Sequence, residues 1–324
     1  MKKRTGIIIA IILVVAAILG VTQYKGKDNT KANSDVETAK HQDGDIITVT
    51  DRKGEVEVAY NPKNVVVLDF ASLDIMDDLG IEPVALPKAS IPSYLEKYKD
   101  DKYIDLGSLK SYDMEAVAAA QPDLIIIEGR QEEAIAEFQK LAPTLYLGSD
   151  GDYFASLERT ARVLGQIFGK EAEVEEKLAS INARKEELVS KTKALNATAL
   201  FLMVNEGSYG AQGADSRFGY VYNEFGFTPI DTNIDDATHG QEVTNEYIKE
   251  KNPDFLIVLD RTYATGSGEG KATAQETLDN DLIKSTDAYK NGHIIYVEPT
   301  AWYIGGPGFK GADVVLRDME NAVK

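Results

Sequence analysis

The sequence predicts an α/β protein of two lobes joined by one long helix. Three observations carry that expectation: short β-branched runs alternating with longer helix-patterned stretches, a near-repeat of one strand unit in each half, and a charged stretch without Gly or Pro between the halves. Continuous β-branched runs between helices are what a parallel sheet covered on both faces produces. Residues 64–68 read as the first such strand, and 71–79 as a helix stopped by Gly80. Residues 124–127 are another strand, followed by a helix pattern over 132–141 that Pro143 closes. After Ala197 the pattern restarts, with strands at 198–204, 255–259 and 294–297. At about 150 residues per domain, a chain of 324 residues suits two lobes.

The near-repeat ties the halves together. Gln121-Pro122-Asp123, the strand after it and Arg130 align without gaps with Asn252-Pro253-Asp254, its strand and Arg261. The same offset carries Glu115 onto Glu246 and Val117 onto Ile248. One Pro-Asp turn before a strand is ordinary turn chemistry; a second copy ending in the same arginine is harder to dismiss. Ligands of open α/β sheets bind beyond the carboxyl ends of the strands. Two facing lobes would therefore place Arg130 and Arg261 across a shared cleft.

Residues 153–168 form one helix pattern, ended by Gly169. Over 170–193 the apolar positions Val174, Leu178, Ile181 and Leu188 make one narrow stripe with charge elsewhere. That stripe is too short to sustain a coiled coil, so it reads as a single stiff connector that limits hinging. The expected fold is thus two Rossmann-like α/β lobes, residues 45–169 and 194–324, joined by a long rigid interdomain helix at 170–193, with the ligand cleft between the lobes.

The N-terminus gives an address. Lys2, Lys3 and Arg4 precede an unbroken apolar run over residues 6–21, the pattern of an export signal or membrane anchor. No small-x-small cleavage site follows, and Val21 stands where a lipoprotein signal would carry its cysteine. Residues 1–21 are read as signal or anchor and 22–44 as a polar tether. The basic flank stays inside, which puts the body at the outer face of the cell membrane.

Composition removes whole classes of function. The chain has 35 basic and 53 acidic side chains, for a net charge of −18, so its surface suits neither nucleic acid nor anionic lipid. It has no cysteine, which excludes disulfides, thiolate metal sites and cysteine nucleophiles. Gly266-Ser267-Gly268-Glu269-Gly270 lacks the strand-then-helix setting of a dinucleotide fingerprint. No Walker sequence, serine elbow or His-Glu-x-x-His occurs, so an enzyme reading has no nucleophile or acid–base pair to stand on.

The candidate site residues lie in loops. Arg217, in Gly213-Ala214-Asp215-Ser216-Arg217-Phe218-Gly219, joins Arg130 and Arg261. Three arginines at cleft-facing positions of an acidic protein make a local cationic pocket, and field focusing there selects an anion. Of three histidines, His41 falls in the tether, His293 in a turn feeding a strand, and His239 in a polar loop of the second lobe. Tyr303 follows the only tryptophan, Trp302, in a glycine-rich loop after the last strand, with the final helix starting near Lys310.

From residue 46 to the end, the chain resembles the helix-linked (class III) substrate-binding proteins of ABC importers, and among them the ferric-siderophore binders of the catecholate, petrobactin-like type. The marks are the two Pro-Asp-strand-Arg units, Ser216-Arg217-Phe218-Gly219, His239-Gly240, and Trp302-Tyr303 ahead of a last helix ending Asn321-Ala322-Val323-Lys324. The resemblance implies a non-catalytic protein that captures a ferric siderophore and hands it to an ABC permease. It implies that Arg130, Arg217 and Arg261 bind the anionic ligand and that His239 and Tyr303 reach its iron, both being reasonable Fe(III) donors. No resident cofactor is implied, since the iron arrives with the ligand, and the protein is read as a monomer. Glu132 and Glu133 are the implied permease contacts on the first lobe, although acids at a helix start also suit the helix dipole. A haem binder of the same fold, with Tyr303 and His239 as axial ligands, is the alternative; a cobalamin or hydroxamate binder would not need three arginines.

Overall fold

The computed structural model describes residues 41–324 apart from Asp236 and Thr238. The signal or anchor at 1–21 and most of the tether lie outside the described residues. Among the described residues, no helix is long and apolar enough to cross a membrane.

An antiparallel hairpin of β1 (Ile46–Thr50) and β2 (Glu55–Ala59) opens the body. The first parallel sheet holds β3 (Val65–Val67), β4 (Ala85–Leu86), β5 (Ile104–Asp105), β6 (Leu124–Ile127) and β7 (Thr144–Tyr146), in the order β5-β4-β3-β6-β7. The second is built from β8 (Thr198–Asn205), β9 (Ser208–Gln212), β10 (Thr228–Pro229), β11 (Gln241–Val243), β12 (Phe255–Asp260) and β13 (Ile294–Tyr296). Its order is β11-β9-β8-β12-β13, with β10 beside β8. The β8–β12–β13 pairs are parallel, while β9 and β11 are antiparallel additions. The central strands are buried except at the ends of β8 and β12, as their unbroken apolar runs require.

The near-repeat is a structural repeat. Gln121 and Asn252 both adopt positive φ, at 50° and 47°. The next aspartate in each copy ties down the start of the neighbouring strand: Asp123 accepts from the Lys63 and Asn64 N–H groups, and Asp254 from Thr198 N–H and hydroxyl. Each copy then runs up the middle of its sheet and ends at its arginine.

A helix at Tyr153–Phe168 is followed after Gly169 by the connecting helix Glu171–Leu195. Val174, Leu178, Ile181 and Leu188 are buried, as the stripe predicts, and Thr192 is buried beyond them. The connector is stapled to the last helix, Phe309–Ala322, by Arg184, whose guanidinium donates to Glu320 at 3.0 and 3.1 Å and to Asp313 at 2.5 Å. One apolar core runs from the first sheet through these helices into the second. Its junction is a chain of rings, with Tyr153–Tyr220 centroids 4.9 Å apart, Phe154–Phe225 5.8 Å and Tyr220–Trp302 5.5 Å. Such pairs add about 0.5–1.5 kcal/mol each beyond the area they bury.

Two expectations change. The helix expected at 132–141 is a 3₁₀ segment at Gly129–Ala134 followed by one short turn at Ile135–Phe138. Gln131 causes it: the side chain is buried, accepts from Glu128 N–H and donates to Leu109 O at 2.5 Å, which draws the first turn tight. The open loop expected around Trp302 is a π-helical turn over Ala301–Gly305.

Candidate functional site

The carboxyl ends of β6 and β12 deliver Arg130 and Arg261 to one cleft. A cavity of about 370 Å3 is lined by Lys110, Arg130, Arg217, His239 and Tyr303 among others. A second of about 270 Å3 takes in Arg261 and shares Lys110, Arg130 and Tyr303 with the first. The five site residues read from the sequence therefore meet. A larger hollow of about 440 Å3 on the outer edge of the second sheet, beside Tyr289 and Tyr296, has no converging cations and suits no such ligand.

Tyr303 organises the arginines. Its hydroxyl accepts from Arg261 Nε at 2.8 Å, while Arg261 Nη1 donates to Asn205 Oδ1 at 2.7 Å from the end of β8. Its carbonyl accepts from Arg217 Nη2 at 2.8 Å. The Arg217 guanidinium lies 4.9 Å from the centroids of both the Phe218 and Tyr303 rings. The loop before it is fixed by Ser216, which is buried and donates to Gly213 O at 2.8 Å, and by Phe218, stacked on Phe201 at 4.7 Å. Protein walls around the cleft, and then the nearby Arg130 charge, push the Arg217 guanidinium below its ordinary value. It still has open surface and stays charged, because an arginine starts so far above neutrality. Arg130 and Arg217 thus stand close enough to act on each other, with the Glu128 carboxylate acting on Arg217 as well.

Arg130 is held differently. Its Nη1 donates to Glu128 Oε1 at 2.6 Å, and both side chains are mostly enclosed. Glu128 in turn faces Asp69, the N-cap of the helix Phe70–Asp78, whose carboxyl is pushed up to about 6 by burial and then by the Glu128 charge. His239 is exposed at the rim, and its loop lies so close to β9 that a Cβ on Gly210 would stand 1.9 Å from His239 O. His293 is structural, stacked on Phe255 at 4.2 Å with Nδ1 3.1 Å from Asp254 O.

Sequence reasoning missed Lys110 and Glu128. Lys110 follows Leu109, the residue Gln131 grips, so one hydrogen bond sets the Lys110 loop beside the Arg130 turn. The signal was faint because β5, the strand that launches this loop, has only two residues. Glu128 could have been found by asking what pairs an arginine two residues on. Among the described residues the cleft thus holds four cations and one carboxylate, in a chain of net charge −18. Planar guanidinium forks and an ammonium suit a polyanion with paired oxygens.

Two α/β lobes on one connecting helix, with a cationic cleft at the strand ends, define a solute-binding protein rather than an enzyme. Residues 65–301 match the family described as periplasmic binding protein, and the chain belongs to that family. It is 41% identical over 332 residues to the petrobactin-binding protein YclQ of Bacillus subtilis, covering 100% of each chain. It is 33% identical to the ferric-anguibactin-binding protein FatB of Vibrio anguillarum, over 84% of this chain and 86% of that one. The crystal structure of YclQ superposes with a TM-score of 0.82 over 86% of this chain and 99% of that one. That of the periplasmic catecholate-siderophore binding protein VctP of Vibrio cholerae does so at 0.81, with 36% identity over 86% of this chain and 100% of that one.

Proposed function

We propose that this protein captures a ferric siderophore of catecholate type outside the cytoplasmic membrane and delivers it to an ABC permease. The observation that carries the reading is the convergence of Lys110, Arg130, Arg217 and Arg261 on the cleft around Tyr303. A ferric catecholate is a compact polyanion whose oxygens come in pairs, which guanidinium forks match. Arg130, Arg217, Arg261 and Lys110 bind those oxygens. Tyr303 and His239 serve as iron donors where the ligand leaves coordination positions open, phenolate and imidazole both suiting Fe(III). Arg261, which already donates to the Tyr303 hydroxyl, stabilises the phenolate that such a bond needs. The similarity to siderophore binders supports this ligand class, and the basic, apolar N-terminal run supports export and retention at the membrane.

On the first lobe, Glu133 is the better candidate for the permease contact. Glu132 is already engaged by Lys53 and by the Tyr146 hydroxyl at 3.0 Å, whereas Glu133 is exposed beside it.

Titration of the purified protein with ferric bis- and tris-catecholates tests the function. Trp302, buried and stacked on Tyr220 against the cleft, is a built-in reporter. Saturable quenching at one site is expected, with a shift of the visible charge-transfer band for the bis-catecholate. Saturation by haem and not by ferric catecholates would overturn the reading.

A further inference from the structure

The turn that carries Tyr303 is held in place from the other half of the molecule. Tyr153 donates its hydroxyl proton to Gly306 O at 3.1 Å. The Tyr94 hydroxyl packs on Gly305 and Gly311, where a Cβ would stand 2.1 and 3.2 Å from it. Asp74, in the helix Phe70–Asp78, accepts from Gly311 N–H at 2.9 Å, and its Oδ2 would lie 2.3 Å from a Cβ at Gly308. At Gly305 and Gly308 a side chain would collide with these first-lobe groups.

This cradle contains two loose ends. Asp74 Oδ1 and the Tyr94 hydroxyl are buried and have no hydrogen-bond partner among the described residues. Orphaned buried polar atoms are costly enough to need a reason. Lys310 of the last helix lies nearby, but its ammonium is held by Asp77, which also takes Lys97 and the Tyr98 hydroxyl. Asp74 itself is wholly buried, and burial carries its carboxyl up to about 7. The Gly311 N–H and Lys310 oppose that rise and Asp77 adds to it. Of the other groups facing the cradle, Tyr94 and Tyr153 are phenols whose own pKa values burial raises well above the usual range, with Asp74 contributing to both. Glu298 and Asp69 act on Tyr94 at longer reach.

We propose that Asp74 is a positioning residue for the Tyr303 turn, and that it takes up a proton from solvent when an anionic ligand fills the cleft. Capture is then coupled to pH through a group the ligand never touches. The direction follows from electrostatics. An anion in the cleft makes the potential at Asp74 more negative and favours the neutral carboxyl. Protonation also turns Oδ1 from an unpartnered acceptor into a donor, in a cradle with an unpartnered phenol oxygen. Below about pH 7 the carboxyl is already neutral and binding draws no proton; above it each bound ligand must draw one, so affinity falls as pH rises. The proposal rests on the anionic-ligand reading.

The test compares wild type with Asp74→Asn, which keeps an acceptor for Gly311 N–H and cannot titrate. Affinity for a ferric bis-catecholate is measured from pH 6 to 9 in both, so that titration of the ligand itself cancels in the ratio. Wild type is expected to lose up to about tenfold per pH unit above neutrality relative to the variant. A ratio that stays constant overturns the proposal. Tyr94→Phe is the second variant. It takes the phenol oxygen out of the cradle while leaving Asp74 titratable and is expected to move the wild-type midpoint; an unmoved midpoint counts against the proposal. Unfolding of the ligand-free protein separates this failure from failure of the ligand reading. Wild type is expected to lose stability from about pH 4 to 7 as the unfolded chain alone releases the Asp74 proton, and Asp74→Asn to show less of that slope. If no ferric catecholate binds at any pH while that slope difference appears, the ligand reading has failed and the buried acid stands; equal slopes overturn the assignment to Asp74.

Discussion

Removing Arg130 does two things at once, and the structure lets them be separated. Arg130→Ala deletes a charge-assisted contact to an anionic ligand, worth about 1.5–3 kcal/mol. It also strips Glu128 of the partner it holds at 2.6 Å. A carboxylate left about 5 Å from a ligand charge, at an effective dielectric of about 20, repels it by about 3 kcal/mol, and solvent in the open cleft cuts that by about half. The total is about 3–4.5 kcal/mol, so Arg130→Ala should weaken ferric catecholate binding by about two to three orders of magnitude. Adding Glu128→Gln to Arg130→Ala should recover about tenfold, because the repulsion is gone while the lost contact is not. Glu128→Gln alone should tighten binding, since the ligand no longer competes for Arg130. The assay is Trp302 quenching across the four proteins of this double-mutant cycle, repeated at high salt to shrink the repulsive part. If the double variant binds no better than Arg130→Ala, Glu128 does not compete with the ligand and the reasoning fails.

Tyr303→Phe and His239→Ala should weaken binding of tetradentate ferric ligands by tenfold or more and of hexadentate ones little; equal losses for both, by titration with each class, would mean neither side chain meets the iron. Gly210→Ala should displace the His239 loop, with its Cβ 1.9 Å from His239 O, and should copy His239→Ala in binding while thermal unfolding shifts further. Asp69, with its carboxyl pushed up to about 6, makes the ligand-free protein lose stability as pH rises from about 4 to 6, by at most about 3 kcal/mol. Asp69→Asn keeps a capping oxygen and should flatten that part of the urea-unfolding profile; an unchanged slope would remove Asp69 from the account.

The lobes, their central strands and the connector were legible in the sequence because each rests on a periodicity that burial enforces. The run at 124–127 and the stripe of Val174, Leu178, Ile181 and Leu188 could serve no other packing. Arg130 and Arg261 were found through a repeat, which fixes where strand ends fall without any need to know the sheet order. The hidden part was polar and tertiary. Gln131 reads as a helix surface residue until Leu109 O is known to receive it. Lys110 reaches the cleft from a strand too short to leave a pattern, and Asp74 looks like the solvent face of a helix although it is buried against Gly311 N–H. Such placements depend on partners far along the chain, and no local spacing encodes them.

The π-helical turn at Ala301–Gly305 has an implication for chain length. A π turn accommodates a residue that an α turn cannot. Deleting one residue there would let the ladder close as an ordinary helix and rotate the downstream residues by about 100°. The hydroxyl now meeting Arg261 would swing out of the cleft, and Trp302 or Ile304 would take its bearing. Segment length, independently of which residues fill it, is therefore a variable by which this scaffold can gain or lose an oxygen donor, and a single-codon deletion would suffice to make the change.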